Sequence, residues 1–485
     1  MNWNVYITLL QRVGDSFAQG IWAFVALPTY IWLIENHSNK AVGYAQGIQG
    51  FAMAAVAVPA SLMADRTRRD MVLRLFAFVG LGGCVAFLGA VYIGKQPLSL
   101  LHIKTDTKLV AICGASALWG IYTAAQPVVE SIFADSVPTG ARIGLYSTFT
   151  ALTRVAICFG PLGAALMFWW SGNVWEVHVI EQIMLVGVGL SAVSILPMFV
   201  FNDDKTLGAD SDAYQELLTI QEEEDEPVSP RWRVLRGHIT TNSIPWLLAG
   251  SDIIIGLASG MTLKFIPIFL LQACALDPIT VNIYTFISPL LIAAIMFSLP
   301  PIAKTLGRVQ VLLLLKCLGV GLLYWMALIP SIWKRPLLIM SVSLARMAFM
   351  NSGYPIQKSI LMDYVPRSTR ARWNSVDTFM NFAWSGSAVV GGFLIDSAGF
   401  RITFFITAAM QTISLVFLFA LLPVVPVKQS YSIRSRRATQ HGSRRGTQHG
   451  QGDTGRCFTM DELDALTEAL LAQEPRSAHR ISEPC

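Results

Sequence analysis

The chain has 485 residues, 53% of them hydrophobic and only 14% charged, with a mean hydropathy of +0.52. A soluble domain carries about a quarter charged residues, so the composition excludes an ordinary soluble enzyme and points to a chain that meets lipid. The formal net charge of +5 is small, and no nucleic-acid partner is expected.

Apolar stretches of the length needed to cross a bilayer, about 20 residues, recur at 12–34, 42–63, 72–93, 109–132, 143–171, 180–201, 243–271, 279–301, 309–330, 336–361, 373–396 and 402–425. They are numbered spans 1 to 12. Their Gly, Pro and β-branched content is ordinary in membrane helices, and the alternating strands of an outer-membrane barrel are absent. The expected fold is an all-α membrane protein. With the N-terminus inside, the inner loops carry fourteen Lys and Arg against seven in the outer loops, so both termini are expected in the cytoplasm.

In chain order, span 1 carries Asp15, and the first outer loop carries a glycosylation sequon, Asn36-His37-Ser38. "SLMADRTRRD" (Ser61–Asp70) joins spans 2 and 3. "GAVYIGKQ" (Gly89–Gln96) mimics a phosphate-binding loop but lacks Ser or Thr after Lys95, so no nucleotide site is expected. Span 4 carries Tyr122, Gln126 and Glu130, span 5 carries Arg154, and "AICFGPLGAA" reads first as a helix-packing face. Residues 202–242 turn polar, with an acidic "QEEEDEP" and a basic "SPRWRVLR", the pattern of a solvated linker. Span 7 carries Asp252 and Lys264, and span 10 carries Arg346, Asn351, Gln357 and Lys358. The tail repeats "RRATQHG" and "RRGTQHG". These read as a basic tether to anionic lipid or as kinase substrates at Thr439 and Thr447. Beyond them an acidic helix, opened by the capping pair Thr459 and Glu462, suits a protein partner. The seven cysteines are scattered without a C-x-x-C pair, so neither a metal site, a cofactor nor a disulfide framework is indicated.

The chain is also written twice. Shifted by 228 positions, Pro127, Ser131, Ile132, Asp135, Val137, Pro138 and Arg142 fall on Pro355, Ser359, Ile360, Asp363, Val365, Pro366 and Arg370. A second relation, offset by 237 to 239 positions, pairs Asp15 with Asp252 and Pro28 with Pro267. The expected organisation is two pseudo-symmetric six-helix bundles, 1–201 and 243–425, joined by a cytoplasmic loop, 202–242, and followed by a cytoplasmic tail, 426–485. Repeated halves place a substrate site between them, near the bilayer midplane.

"SLMADRTRRD" resembles the signature loop G-x-x-x-D-R-x-G-R-R of the major facilitator superfamily, with Asp65, Arg66 and Arg69 on its charged positions. Ser61 and Arg68 replace its glycines, and Asp70 stands where its last Arg would be. The matching loop between spans 8 and 9 keeps only Gly307 and Arg308. The resemblance implies a transporter working by alternating access, with spans 1, 4, 7 and 10 lining a central cavity. It implies that Asp65 is set against the N-terminus of span 11, favouring the outward-open state, and that Asp135, Arg142, Asp363 and Arg370 form an inner-face ion network. A carboxylate at a helix N-terminus contributes about 0.3–1 kcal/mol. The alternative is that these charges anchor loops at the headgroups.

Ionisable residues inside a span are costly and mark function. The candidates for substrate or proton contact are Asp15, Tyr122, Gln126, Glu130, Arg154, Asp252, Arg346 and Asn351. Two deep arginines suggest an anionic or zwitterionic small-molecule substrate held by charge-assisted hydrogen bonds. The competing account pairs Arg154 and Arg346 with Asp252, Asp15 or Asp377. Protons are the candidate coupling ion. The alternatives to a coupled transporter are an uncoupled facilitator or sensor on the same fold, and an escort protein acting through the tail.

Overall fold

The computed structural model describes residues 2–94, 97–100, 103–137, 142–207, 233–234, 239–240, 243–364, 370–423 and 425. Among the described residues, ten helices are long and apolar enough to cross a membrane. One of them, Ala383–Phe419, belongs to a helical run that turns at Gly399 (φ 78), the left-handed region that suits a residue without Cβ. It therefore contains two crossings. Span 10, Pro336–Ser352 followed by Tyr354–Tyr364, adds the twelfth.

Several spans are longer than their hydropathy indicated. Span 1 runs Trp3–Ile34 and span 8 Pro278–Leu306, because polar helical turns continue the hydrogen-bond ladder beyond the apolar run. An antiparallel hairpin, Pro97–Leu100 with Ile103–Asp106, joins spans 3 and 4. A second short pair, Arg233–Val234 with Ile239–Thr240, lies in the central loop. The tail lies outside the described residues.

Among the described residues four spans are broken, and each break has a proline beside it. Span 1 passes through a π-helical turn, Trp22–Ala26, before Pro28. Span 4 breaks between Thr123 and Gln126, before Pro127. Span 7 breaks between Leu263 and Ile266, before Pro267. Span 10 breaks at Gly353, before Pro355. Proline has no N–H and its ring crowds the preceding turn, so the ladder is interrupted there. The broken spans are 1, 4, 7 and 10, and the prolines are those that the internal repeat pairs.

Glycines let the helices approach. A Cβ on Gly20 of span 1 would meet the Gly160 Cα of span 5 at 2.8 Å, so "AICFGPLGAA" is a packing face. Between the halves, Gly43, Gly47 and Gly50 of span 2 lie against Ala388, Val389 and Ser385 of span 11. Phe159 of span 5 meets Phe286 of span 8 edge-on at 5.7 Å. In the N-terminal core the buried Trp22 ring packs edge-on against Phe87 and Trp119. Outside, large apolar side chains such as Phe78, Phe297 and Trp170 are exposed, which lipid tolerates and water does not.

At the end that carries the 36–38 turn, both seams are tied by polar contacts from one half to the other. The Asp396 carboxylate of span 11 takes hydrogen bonds from Ser38, Asn39 and Lys40 at the start of span 2. Asn173, after span 5, donates to Asp277 at 2.9 Å and accepts from the Ile279 N–H of span 8 at 3.0 Å. Burial alone would raise the Asp277 pKa, but hydrogen bonds from Thr280 and Asn173 outweigh it and hold the carboxyl below its usual range.

Candidate functional site

The N-terminal half assembles polar groups on one face of span 1. Asp15 is 2% exposed and accepts from Gln19 Nε2 at 2.8 Å. Its Oδ1 has no hydrogen-bond partner among the described residues. One turn earlier, Gln11 Nε2 donates to the Tyr122 hydroxyl at 3.1 Å, and Arg12 reaches Glu130 at 3.4 Å. The structure thus brings Asp15, Tyr122 and Glu130 together. It adds Gln11, Arg12 and Gln19, which sequence reasoning missed. The signal was present: Gln11, Asp15 and Gln19 are spaced i, i+4, i+8, one helical face. Gln126 is half-buried with its Oε1 unpaired among the described residues.

In the C-terminal half the cations dominate. Arg346 is 1% exposed, and its electrostatic neighbour is Tyr284 of span 8. The Tyr284 hydroxyl is itself paired with Ser343 Oγ at 2.7 Å. Arg346 Nε has no hydrogen-bond partner among the described residues, and no described carboxylate forms an ion pair with it. Lys264, at the break of span 7, places its ammonium 3.9 Å from the centroid of the Trp384 ring on span 11, a cation–π distance.

Lys316 of span 9 is a further residue missed from sequence. It is buried, donates to the Met350 carbonyl at 3.1 Å just before the break of span 10, and feels the charge of Asp252. A lysine inside "VLLLLKCLGV" was signal enough, but it lay on a span outside the four expected to line the cavity.

Two candidates are placed differently. Arg154 is exposed on span 5 and has no ion pair among the described residues; its carbonyl accepts from Cys158 Sγ at 3.0 Å. Asn351 is exposed, and its amide donates back to Met347 O at 2.8 Å within its own helix.

At the inner face the side chains of Asp65, Arg142, Asp363 and Arg370 lie outside the described residues. Arg66 is exposed at the end of span 2. Arg69 pairs with Asp135, and its Nε also reaches Asp203 at 3.1 Å. Arg68 pairs with Asp204 at 2.8 Å and with Asp70 at 3.1 Å, and those two carboxylates, Asp204 first, raise its pKa. Leu207 N–H donates to Asp135 O at 2.9 Å. The first residues of the central loop therefore clasp the end of the N-terminal half that carries the loop between spans 2 and 3. Among the described residues there is no cluster of His, Cys, Asp and Glu that could hold a metal ion.

A search of curated protein sequences gives no match. Among solved structures, the chain resembles the nucleoside transporter NupG, with a TM-score of 0.59 and 14% identity over 87% of this chain and 99% of that one. It also resembles a bacterial homologue of the iron transporter ferroportin in its inward-facing state, with a TM-score of 0.62 and 12% identity over 86% and 98%. A third is the inward-open xylose transporter XylE from E. coli, with a TM-score of 0.58 and 13% identity over 90% and 98%. At these identities the likeness is one of fold. The family model of the Major Facilitator Superfamily matches residues 13–388; with twelve crossings in two halves and four broken helices at corresponding places, the chain belongs to the major facilitator superfamily.

Proposed function

We propose that the chain is a secondary active transporter that moves a small solute with an anionic or zwitterionic group by alternating access, both termini in the cytoplasm. The observation that carries the substrate's charge is Arg346: a guanidinium keeps its proton, and this one is buried on a central span with no described carboxylate beside it. Asp15, Tyr122 and Glu130 supply the facing groups from the other half. Protons are the proposed coupling ion, with Asp252 the first candidate carrier and Asp15 and Glu130 the next. The electrostatic interaction between Lys316 and Asp252 favours a second reading, an uncoupled facilitator in which Asp252 stays charged as a structural partner.

The test is uptake into proteoliposomes across organic anions, amino acids, sugars and cationic drugs, with and without a pH gradient. Uptake of an anion or zwitterion that accumulates only with the gradient supports the proposal. Equilibration without accumulation selects the facilitator, and preference for a cation removes the role given to Arg346.

A further inference from the structure

Asp396 stands near the outer end of span 11, three residues before the turn at Gly399, yet its hydrogen bonds run to the other half of the protein. Oδ1 accepts from the Asn39 backbone N–H and from Asn39 Nδ2, both at 2.9 Å. Oδ2 accepts from the Lys40 backbone N–H at 3.0 Å and from Ser38 Oγ at 3.2 Å. Asn39 and Lys40 are the first two residues of the helix of span 2, so their N–H groups have no acceptor within that helix. The carboxylate also faces the positive end of the helix dipole. The Lys40 ammonium takes no part and lies 5.1 Å from the Phe393 ring centroid.

The other seam repeats the device with a neutral capping side chain. Asn173, beyond the end of span 5, accepts from the Ile279 N–H in the first turn of span 8. On the outer face, then, a side chain after or near the end of one helix caps the start of a helix from the opposite half, once on each seam.

Spans 2 and 11 run antiparallel. Asp65 sits next to the last residue of span 2, at the inner face, where the start of span 11 also lies. We infer that Asp396 is an outer latch reciprocal to Asp65. Asp396, near the C-terminal end of span 11, caps the N-terminus of span 2; the signature-loop resemblance gives Asp65, near the C-terminal end of span 2, the corresponding role at the start of span 11 on the opposite face of the membrane. Rocking of the halves exchanges one cap for the other. The inference rests on the alternating-access reading.

The geometry suits a seesaw. The 28-residue helix of span 2 is about 42 Å long at ~1.5 Å per residue. Rocking by about 10° about its midpoint moves each end by roughly 3.5 Å, enough to part a hydrogen bond. The glycine seam of Gly43, Gly47 and Gly50 against span 11 gives the pair a smooth surface on which to turn.

The test needs no substrate. Val389, packed on Gly47 in the seam, is replaced by cysteine in the full-length protein with its own cysteines changed to serine. The protein is reconstituted in vesicles, and an impermeant maleimide is added on the face that carries the 36–38 turn. Asp396→Asn should raise the initial labelling rate about two- to fivefold, the weight of a charge at a helix N-terminus. Asn39→Ala, which removes one donor and keeps the charge, should raise it less. Asp65→Asn should lower it, and the Asp65→Asn, Asp396→Asn pair should return it toward the parent rate. Unchanged labelling in both Asp396→Asn and Asn39→Ala would overturn the latch, as would a shift of the Asp65 and Asp396 variants in the same direction. Either result leaves the uptake screen to decide transport separately.

Discussion

Replacing Arg346 by lysine keeps the charge and removes the fork. Span 10 starts at Pro336, so Arg346 stands ten residues down its helix, about 15 Å at ~1.5 Å per residue and near the middle of a ~30 Å core. Lysine can present a point charge there but cannot donate two parallel bonds to a carboxylate or phosphate. Losing one charge-assisted hydrogen bond in a desolvated site costs about 1.5–3 kcal/mol. At about 1.4 kcal/mol per tenfold, that is a loss of affinity of roughly 10- to 150-fold. The assay is equilibrium binding of the best solute from the uptake screen, to parent and Arg346→Lys protein, normalised to folded protein in the membrane. Near-normal affinity in a well-expressed variant would refute the reasoning and leave Arg346 as a structural charge. Asp377, on a part of span 11 whose side chains are not described, would then be the carboxylate to test.

Asp65→Asn should slow exchange between inward and outward states more than it weakens binding; a collapse of equilibrium affinity with an unchanged exchange rate would remove Asp65 from the gate. Asp252→Asn should abolish gradient-driven accumulation and leave downhill exchange, and Lys316→Met should not rescue accumulation in that background. Normal accumulation by Asp252→Asn would hand the proton to Asp15 or Glu130. The Asp277 pKa is depressed in the fold, so the stability it contributes is present above the ordinary carboxylate range and is lost as pH falls through the folded value. Asp277→Asn should therefore lower the melting temperature near neutral pH, with the deficit against the parent shrinking below about pH 4. Equal deficits at both pH values would show that the carboxylate's charge contributes nothing there.

Much of the architecture is local and so was legible in the chain itself. Hydropathy marks the crossings because a segment in lipid must satisfy its own backbone, and only a helix of about 20 residues does so. Pro28, Pro127, Pro267 and Pro355 stand at the breaks, where the missing N–H interrupts the ladder, but Pro59, Pro161 and Pro289 lie inside unbroken helices, so proline by itself did not mark them. Partnership is different. Arg154 and Arg346 sit at similar depths in apolar spans, yet one is exposed and the other buried, because exposure depends on which neighbouring helix covers which face. Asp135 matches Asp363 in the repeat, but its partner is Arg69 on the adjoining loop. Asp396 drew no attention in a segment that reads as the end of a helix, although it bonds to residues more than 350 positions away. A carboxylate's partner is decided by proximity in space and by which buried N–H groups lack an acceptor, and only the packed helices bring those groups within reach.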